Sequence, residues 1–365
     1  MGRLRNVSLL FIVCAAIGIF PFEVRAGENI RVAILDDQRS VAITSTSGLV
    51  IAGKPSRKRI SALMFRAATL GKRPVRVSSL NKVVLVNGTS YRGWVELRKK
   101  TNGLLLVVND LDLEDYLKGV IAAEVPPNWE IDALKAQAVA SRTYALNEKR
   151  RYGNRPYHIL ATIDSQMYSG VRSEYPKAVL AVIETKGLVL VHEGKLIPAF
   201  YHANCGGHTE NASELWGIDA PYLKGVDCEC QRILKSELWE KRFTIPQFLD
   251  TLKRAGYPLS DISDISVASV TPAGRVKNVA LRSKYGSTIV PAEILRSALG
   301  STVVPSLFFE LELTDGEVVF SGRGKGHGVG LCQWGAHEMA GQGHDFRSIL
   351  LHYYPGTLLM KMESH

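Results

Sequence analysis

The chain has 365 residues, of which 46% are hydrophobic and 22% charged, and its formal net charge is +10. This composition is typical of a globular protein, and it excludes a disordered, fibrous or low-complexity chain. The length suffices for one large domain or two ordinary ones, and the excess of lysine and arginine favours an anionic partner.

The first 26 residues have the pattern of a secretory signal peptide. Arg3 and Arg5 form a basic start, residues 7–20 form an apolar run, and small residues precede a cleavage point after Ala26. The apolar run is short for a membrane span, which needs roughly 20 residues. We therefore predict export to the periplasm or cell envelope with cleavage after Ala26. An uncleaved membrane anchor is the alternative.

Export narrows the choice of anionic partner. Removing residues 1–26 takes away three arginines and one glutamate and lowers the formal charge from +10 to +8. The exported chain stays basic, and its location argues against nucleic acid as the partner. The acidic peptides and polymers of a bacterial wall fit better. A basic surface that only maintains solubility is the alternative.

Residues 27–110 are predicted to be rich in β-strand. A first strand covers residues 30–35, and a strand at 83–86 runs into Asn87-Gly88, a pair typical of a two-residue hairpin turn. Residues 104–108 form a further apolar strand.

After residue 110 the pattern becomes mixed. Asp112 can cap a helix that runs to residue 123 and ends before Pro126-Pro127, and a second helix is predicted over residues 130–151. The later predictions are strands at 178–191 and 196–201, a helix at 245–255, a strand at 276–281, a glycine-rich strand from 320, and helices at 333–342 and 345–353.

This mixture predicts an α+β fold of β-rich mixed sheets with a few helices. We divide the exported chain into an N-terminal β-rich region at 27–110 and a second region at 111–365, with a soft sub-boundary near 235.

Glu124 is the strongest candidate for a catalytic residue. It stands between the apolar residues 120–123 and Val125-Pro126-Pro127, so its carboxylate is expected at a poorly solvated helix end. Desolvation raises the pKa of a carboxylic acid, and a glutamate with a pKa of roughly 6–7 can both donate and accept a proton near neutral pH. A glutamate that simply faces solvent is the alternative.

Residues 322–330 carry glycine at every second position. In an extended strand these glycines would share one face, open to close approach by a ligand or a helix, while Arg323, Lys325 and His327 would share the other. The segment lacks the Lys-Ser/Thr ending of a phosphate loop. A close-packed core strand is the alternative.

The possible metal ligands lie in two short clusters about twenty residues apart. They are His202, Cys205, His208, Cys228 and Cys230. Two such clusters joined by a loop suit a tetrahedral Zn²⁺ of a structural kind. A disulfide from Cys205 to Cys228 or Cys230, or free thiols, are the alternatives. Cys332 stands alone and is predicted to be a small buried apolar residue.

Several motifs follow one another in a recognisable order. They are Asp-Tyr-Leu-Lys-Gly-Val at 115–120 running to Glu-Val-Pro at 124–126, Ala-Leu-Lys-Ala-Gln-Ala-Val-Ala-Ser-Arg-Thr-Tyr-Ala at 133–145, Gln-Met-Tyr-Ser-Gly at 166–170, Cys-Gly-Gly-His-Thr-Glu at 205–210, Gly-Lys-Gly-His-Gly-Val-Gly at 324–330, Gln-Trp-Gly-Ala at 333–336 and Tyr-Tyr-Pro-Gly-Thr at 353–357. In this series the chain resembles the SpoIID/LytB family. It departs from many relatives at Cys205-Gly206-Gly207, where they have Ser-Gly-Gly, and its candidate zinc ligands do not match the spacing expected in the zinc-binding branch.

The resemblance implies a lytic transglycosylase of peptidoglycan. Such an enzyme cuts the β-1,4 bond between N-acetylmuramic acid (MurNAc) and N-acetylglucosamine (GlcNAc) in glycan strands and leaves a 1,6-anhydro end. The family's catalytic glutamate maps onto Glu124. Ordinary glycosidases use two carboxylates, but here the C6 hydroxyl of the sugar can be the nucleophile. The resemblance also brings together five candidates for substrate contacts, which are Arg142, Gln166, Tyr168, His327 and Gln333.

Two other functions compete with this one. LytB-type relatives are described as amidase enhancers, so the chain could be a non-catalytic, glycan-binding activator with a cell-wall amidase as its partner. A zinc hydrolase that uses the cluster at 202–230 is the second alternative. In each case the expected partner is the wall, with no nucleic acid, and with a membrane contact only through an uncleaved signal segment.

Overall fold

The computed structural model describes residues 27–52, 60–232 and 238–363. The predicted signal peptide therefore lies outside the described residues. Within them, the strands form several separate sheets and helices lie between them in the chain. This arrangement confirms the predicted α+β class. In this part of the chain no helix is both long and apolar enough to cross a membrane.

The strands are β1 (Asn29–Gln38), β2 (Ser40–Thr44), β3 (Leu49–Ile51), β4 (Ala62–Arg66), β5 (Val75–Ser79), β6 (Val83–Val86), β7 (Thr89–Arg92), β8 (Trp94–Lys99), β9 (Leu105–Asp112), β10 (Ile159–Leu160), β11 (Leu188–His192), β12 (Lys195–Leu196), β13 (Tyr201–His202), β14 (Leu238–Thr244), β15 (Asp264–Val270), β16 (Val276–Ser283), β17 (Gly286–Pro291), β18 (Phe309–Thr314), β19 (Glu317–Arg323), β20 (Leu331–Cys332) and β21 (Leu358–Lys361). The helices are α1 (Leu113–Glu124), α2 (Ile131–Tyr152), α3 (Pro176–Glu184), α4 (Ala212–Trp216), α5 (Ile245–Arg254), α6 (Ala292–Leu299), α7 (Gln333–Gly341) and α8 (Phe346–Tyr353).

Two sheets make up most of the N-terminal part. One has six strands in the order β10-β1-β9-β8-β5-β3, and the other has four in the order β4-β2-β6-β7. The predicted hairpin joins β6 to β7, and Asn87 and Gly88 have φ of 47° and 89°, as a tight hairpin turn of this type requires.

The largest hydrophobic core continues across residue 110. It joins strand side chains such as Ile30 and Leu97 to helix side chains such as Leu117 and Leu134. β9 leads directly into α1, where the Asp112 carboxylate accepts hydrogen bonds from two backbone N–H groups of the first turn. The predicted division near 110 therefore does not coincide with a break in the core.

One predicted strand is in fact half helical. Residues 178–191 contain the end of α3 and then β11. Pro176 occupies the first turn of α3, where its missing N–H costs no hydrogen bond. The buried face of this helix consists of Ala178, Ala181 and Val182, whereas the β-branched Ile183 is exposed.

Residues 238–323 form a lobe with a core of its own. Two three-stranded sheets, β14-β19-β18 and β15-β16-β17, pack with α5 and α6 around buried residues that include Phe248, Leu281 and Phe320. β14 begins at Leu238, just after the predicted sub-boundary near 235.

The glycine-rich segment is not the extended strand that we predict from its sequence. β19 ends at Arg323, and Gly324, Gly326, Gly328 and Gly330 all have positive φ, from 70° to 110°. A Cβ atom on Gly330 would lie 2.1 Å from the carbonyl oxygen of Phe200. Gly324, Gly326 and Gly330 are needed because this segment crosses in close contact with residues 200–204, and Gly328 because Arg275 packs against it.

A buried ion pair joins α1 to α2. Arg142 Nε and Nη2 donate to the two carboxylate oxygens of Glu114 at 2.9 and 2.7 Å, and Arg142 is fully buried. Three backbone carbonyls, among them Leu188 O at 3.2 Å, accept from the same guanidinium. This pair fixes how the helix that ends at Glu124 lies against α2.

We expect Glu114→Gln to lower the free energy of unfolding by about 3–5 kcal/mol, because it leaves the Arg142 charge buried without its carboxylate. Asp115→Asn is the matched control: it removes the more exposed pair with Lys118 in the same helix, and should cost less than about 1 kcal/mol. Urea denaturation measures both. Equal losses in the two variants would contradict a special role for the buried pair.

Candidate functional site

The carboxylate of Glu124 is held by donors from three separate segments. Glu124 is the last residue of α1 and is only partly exposed. Its Oε1 accepts from the backbone N–H of Met167 at 2.8 Å and from the Tyr201 hydroxyl at 3.0 Å. Its Oε2 accepts from Gln333 Nε2 at 3.2 Å.

Burial and hydrogen bonding act on this carboxyl group in opposite directions. Burial raises the pKa of Glu124, and the three hydrogen bonds from Met167, Gln333 and Tyr201 lower it, with burial the larger effect. Among the described residues no lysine, arginine or histidine forms an ion pair with Glu124, so no full positive charge offsets the desolvation. The group therefore keeps its proton to a higher pH than an exposed glutamate does, as a general acid requires.

A short parallel strand pair brings two of these donors together. β13 pairs with β20, with Tyr201 opposite Leu331 and His202 opposite Cys332. Gln333 directly follows β20 and begins α7. Gln333 thus lies two residues after Leu331, which pairs with Tyr201, and both side chains donate to Glu124.

A layer of buried polar groups supports Tyr201. Burial, together with the nearby Glu124 carboxylate, raises the pKa of Tyr201 well above its usual range, so its hydroxyl stays a donor. Gln166 lies in this layer and is fully buried: its Oε1 accepts from Tyr116 at 3.0 Å and its Nε2 donates to the Ser141 carbonyl at 3.2 Å. Gln166, a predicted substrate contact, is thus part of the interior.

Two further predicted substrate contacts also lie inside the protein. Arg142 is the buried partner of Glu114. Tyr168 is 6% exposed, and its hydroxyl donates to Asn109 Oδ1 at 2.9 Å. Gly119 is needed beside it, because a Cβ there would lie 2.7 Å from the Tyr168 ring. Both side chains are therefore engaged in packing α1 rather than open to a ligand.

The remaining two candidates are Gln333 and His327. Gln333 binds Glu124 directly. His327 packs among other rings, and its ring centroid lies 5.4 Å from that of His202 and 5.1 Å from that of Trp216. Burial lowers the pKa of His327 to about 4, and its Nδ1 accepts from the Val329 N–H, so its ring is neutral near pH 7.

The structure revises the predicted metal ligands. Four buried thiols lie within 4.8 Å of one another and could hold a metal ion: Cys205, Cys228, Cys230 and Cys332. His202 Nδ1 donates to the Val329 carbonyl instead, and His208 Nδ1 to the Thr209 carbonyl. Cys332 replaces both histidines in the cluster and is therefore not the isolated apolar residue that we predict from its position in the sequence.

The sulfur atoms are close but not bonded. Cys205 Sγ and Cys230 Sγ are 3.3 Å apart, and all four are free cysteines. Burial raises the pKa of Cys205 and of Cys332. One member of the cluster, Cys332, is the last residue of β20 and directly precedes Gln333.

Sequence reasoning misses two of the three donors to Glu124. Met167 contributes a backbone N–H, which no side-chain pattern can reveal. Tyr201 ends an apolar run from residue 197, and its contact with Glu124 depends on strand pairing across 130 residues of chain, from Tyr201 to Leu331. An aromatic residue at the end of a short strand is the one local signal, and it is weak.

A carboxyl group with a raised pKa, held by neutral donors, is chemically suited to proton transfer. The family model described as "Stage II sporulation protein" (SpoIID) matches residues 101–192, which include Glu124, and a "Domain of unknown function" (DUF8618) matches residues 212–330.

Similar proteins occur in several bacteria. An uncharacterized protein of Brachyspira hyodysenteriae (strain ATCC 49526 / WA1) is 34% identical over 274 residues, 74% of this chain and 73% of that protein. Stage II sporulation protein D of Bacillus amyloliquefaciens is 30% identical over 273 residues, 70% of this chain and 76% of that protein. The Amidase enhancer of Bacillus subtilis (strain 168) is 31% identical over 67% of this chain and 40% of that longer protein. The chain belongs to the SpoIID family.

The raised pKa of Glu124 predicts a specific pH dependence of stability. Because the folded state favours the protonated form, wild-type stability falls as pH rises from the unfolded pKa, about 4.3, through the higher folded pKa. In Glu124→Gln the amide oxygen can still accept from Met167 and Tyr201 if the Gln333 amide rotates. We therefore expect this variant to become progressively more stable than the wild type across that window.

Urea denaturation at a series of pH values measures the difference. Glu193→Gln, at an exposed turn, is the control and should run parallel to the wild type. A Glu124→Gln variant whose advantage does not grow with pH would show that the carboxyl group is not desolvated in solution.

Proposed function

We propose that this protein is a lytic transglycosylase of the bacterial cell wall, which cleaves the MurNAc-GlcNAc β-1,4 bond of glycan strands and forms 1,6-anhydro-MurNAc. The observation that supports this proposal is the Glu124 carboxyl group, with its raised pKa and three neutral donors. It stands at the position that the sequence motifs give to the family's catalytic glutamate. Export through residues 1–26 would bring the enzyme to this substrate.

Glu124 would serve first as acid and then as base. Its proton passes to the glycosidic oxygen as the bond from that oxygen to C1 of MurNAc breaks. Met167, Tyr201 and Gln333 stabilise the carboxylate that this step leaves. The C6 hydroxyl of the same sugar then attacks C1, and its proton returns to Glu124. One carboxyl group suffices because the nucleophile is part of the substrate, unlike in ordinary glycosidases.

A non-catalytic role is the second candidate. The relative from Bacillus subtilis named Amidase enhancer favours a protein that binds glycan and activates a cell-wall amidase. The same carboxylate and its donors could then bind sugar hydroxyls without cleaving the strand.

We also propose that the four cysteines bind one structural Zn²⁺. A tetrahedral site with Zn–S bonds of about 2.3 Å has sulfur atoms about 3.8 Å apart, close to the spread within the cluster. A bound cation would convert the buried thiols to thiolates. Four protein ligands leave no open position for a reacting water, which argues against the zinc hydrolase. The ion would instead brace Cys332 and, through it, the position of Gln333.

Glu124→Gln should abolish the anhydro product. Purified residues 27–365 and the variant are each incubated with peptide-free glycan strands, and the fragments are identified by mass spectrometry. We expect anhydro-ended fragments from the wild type and a rate at least about 100-fold lower from the variant, because the acid and base are lost together. Binding of strands without any anhydro product from the wild type would favour the activator.

The zinc proposal predicts about one zinc ion per chain in protein purified without chelator. Cys332→Ser should lower the zinc content and the melting temperature, since it removes a ligand, whereas His208→Ala should retain the zinc. Elemental analysis by mass spectrometry measures the metal. Wild-type protein without zinc, or with fewer than four titratable thiols after unfolding in residues 27–365, would favour the disulfide.

A further inference from the structure

A cavity lies next to the segments that carry two of the donors to Glu124. It has a volume of about 300 Å³ and is lined by the end of α2, by residues 157–165 and by Phe200. Phe200 directly precedes Tyr201, and Ser165 stands two residues before Met167, so two of the donors to Glu124 adjoin its inner edge. Tyr144 closes this edge, with its ring centroid 6.1 Å from that of Phe200 and 6.4 Å from that of Tyr201.

Two arginines share one aromatic ring at the outer edge of the cavity. The guanidinium carbons of Arg151 and Arg155 lie 5.0 and 4.3 Å from the centroid of Tyr152. Arg151 comes no closer than 3.9 Å to its one carboxylate partner, Glu148, and its side chain is 65% exposed. Arg155 forms no ion pair within the described residues. Both guanidinium groups thus have donors free for a ligand.

The cavity also contains other titratable groups, of which Glu148 and Asp164 carry carboxyl groups. Burial lowers the pKa of His158 to about 4, so its ring is neutral near pH 7. Burial raises the pKa of Glu148. Asp164 is exposed and accepts a hydrogen bond from the Thr162 hydroxyl. Tyr144 stays a neutral donor, because burial raises its pKa to about 12.

We propose that this cavity binds a carboxylate carried on the 3-O substituent of a muramic acid residue in the glycan strand that Glu124 acts on. The proposal rests on the proposed substrate, because only a strand containing muramic acid presents such a group at every second sugar. Guanidinium groups match the planar geometry of a carboxylate, and the Tyr152 ring holds both of them at one edge of the cavity. The volume suits a small group rather than a polymer segment.

This carboxylate has two possible sources. In a peptide-free strand it is the lactyl carboxylate itself, and in a peptide-bearing strand it belongs to the peptide. Three fluorescent glycan probes of equal length separate them: peptide-free strands, the same strands with each lactyl carboxylate converted to a methylamide, and peptide-bearing strands.

Binding is measured by fluorescence anisotropy in the Glu124→Gln background, which is expected to slow any turnover. The test variant carries Arg151→Gln and Arg155→Gln. The matched control is Arg347→Gln, which removes another exposed arginine stacked on an aromatic ring, that of Phe346 at 4.6 Å. Unchanged circular dichroism and melting temperature establish that each variant is folded.

We expect the double variant to weaken binding of a carboxylate-bearing probe by about tenfold and to leave the methylamide probe unchanged. The Arg347→Gln control should bind all probes as before. A loss confined to the peptide-free probe identifies the lactyl carboxylate, and a loss confined to the peptide-bearing probe identifies the peptide. An equal loss on the methylamide probe, or no loss on any probe, would overturn the proposal.

The result does not depend on catalysis. If the wild type releases no anhydro product, the transglycosylase proposal fails, yet the binding comparison still tests the cavity. If the wild type does cleave, the double variant with Glu124 intact should show a raised KM and an unchanged kcat on the same strand.

Discussion

The candidate site depends on a parallel pairing of only two residues on each side. Tyr201 and His202 meet Leu331 and Cys332, and this contact places both Tyr201 and Gln333 on the carboxylate at the end of α1. The pairing is possible because the glycine-rich segment has no side chains where it crosses residues 200–204. The cysteine cluster flanks the same pair. Close backbone approach, more than any single side chain, therefore determines the geometry around Glu124.

The pKa of the Glu124 carboxyl group is set by two opposing effects. Desolvation favours its protonated form, while three neutral donors favour the charged form without adding a positive charge. An arginine in their place would lower the pKa much further, and the group would then be a poor acid. Arg142, which is close in sequence to this region, is instead fully paired with Glu114 in the interior. The Arg142 charge, which stabilises the fold, is thus separate from the Glu124 carboxyl group, which is suited to proton transfer.

Much of the fold could be predicted from the sequence, because local signals specify it. The Asp112 cap, the Asn87-Gly88 turn and the helix ending at Glu124 all appear where the pattern places them. Helix α3 was predicted as a strand because it contains β-branched residues. Tertiary packing outweighs the preference of these residues for strands. The site was harder. Its donors come from residues 167, 201 and 333, and the sequence carries no record of which distant segments pair. The same reason explains why Cys332 looks isolated in the sequence but joins three other cysteines in space.

The two ends of the lobe of residues 238–323 connect to the rest of the chain near the same residue, Asn204. Cys230, just before it, donates to the Asn204 side chain, and Lys325, just after it, exchanges two backbone hydrogen bonds with Asn204. One anchor of the lobe is Arg275, which donates to the carbonyls of Cys205 and His208. A segment inserted in this way can lengthen, shorten or be replaced during evolution if the contacts of Arg275 are kept. Such changes would not shift the strand register on which the Glu124 carboxylate depends.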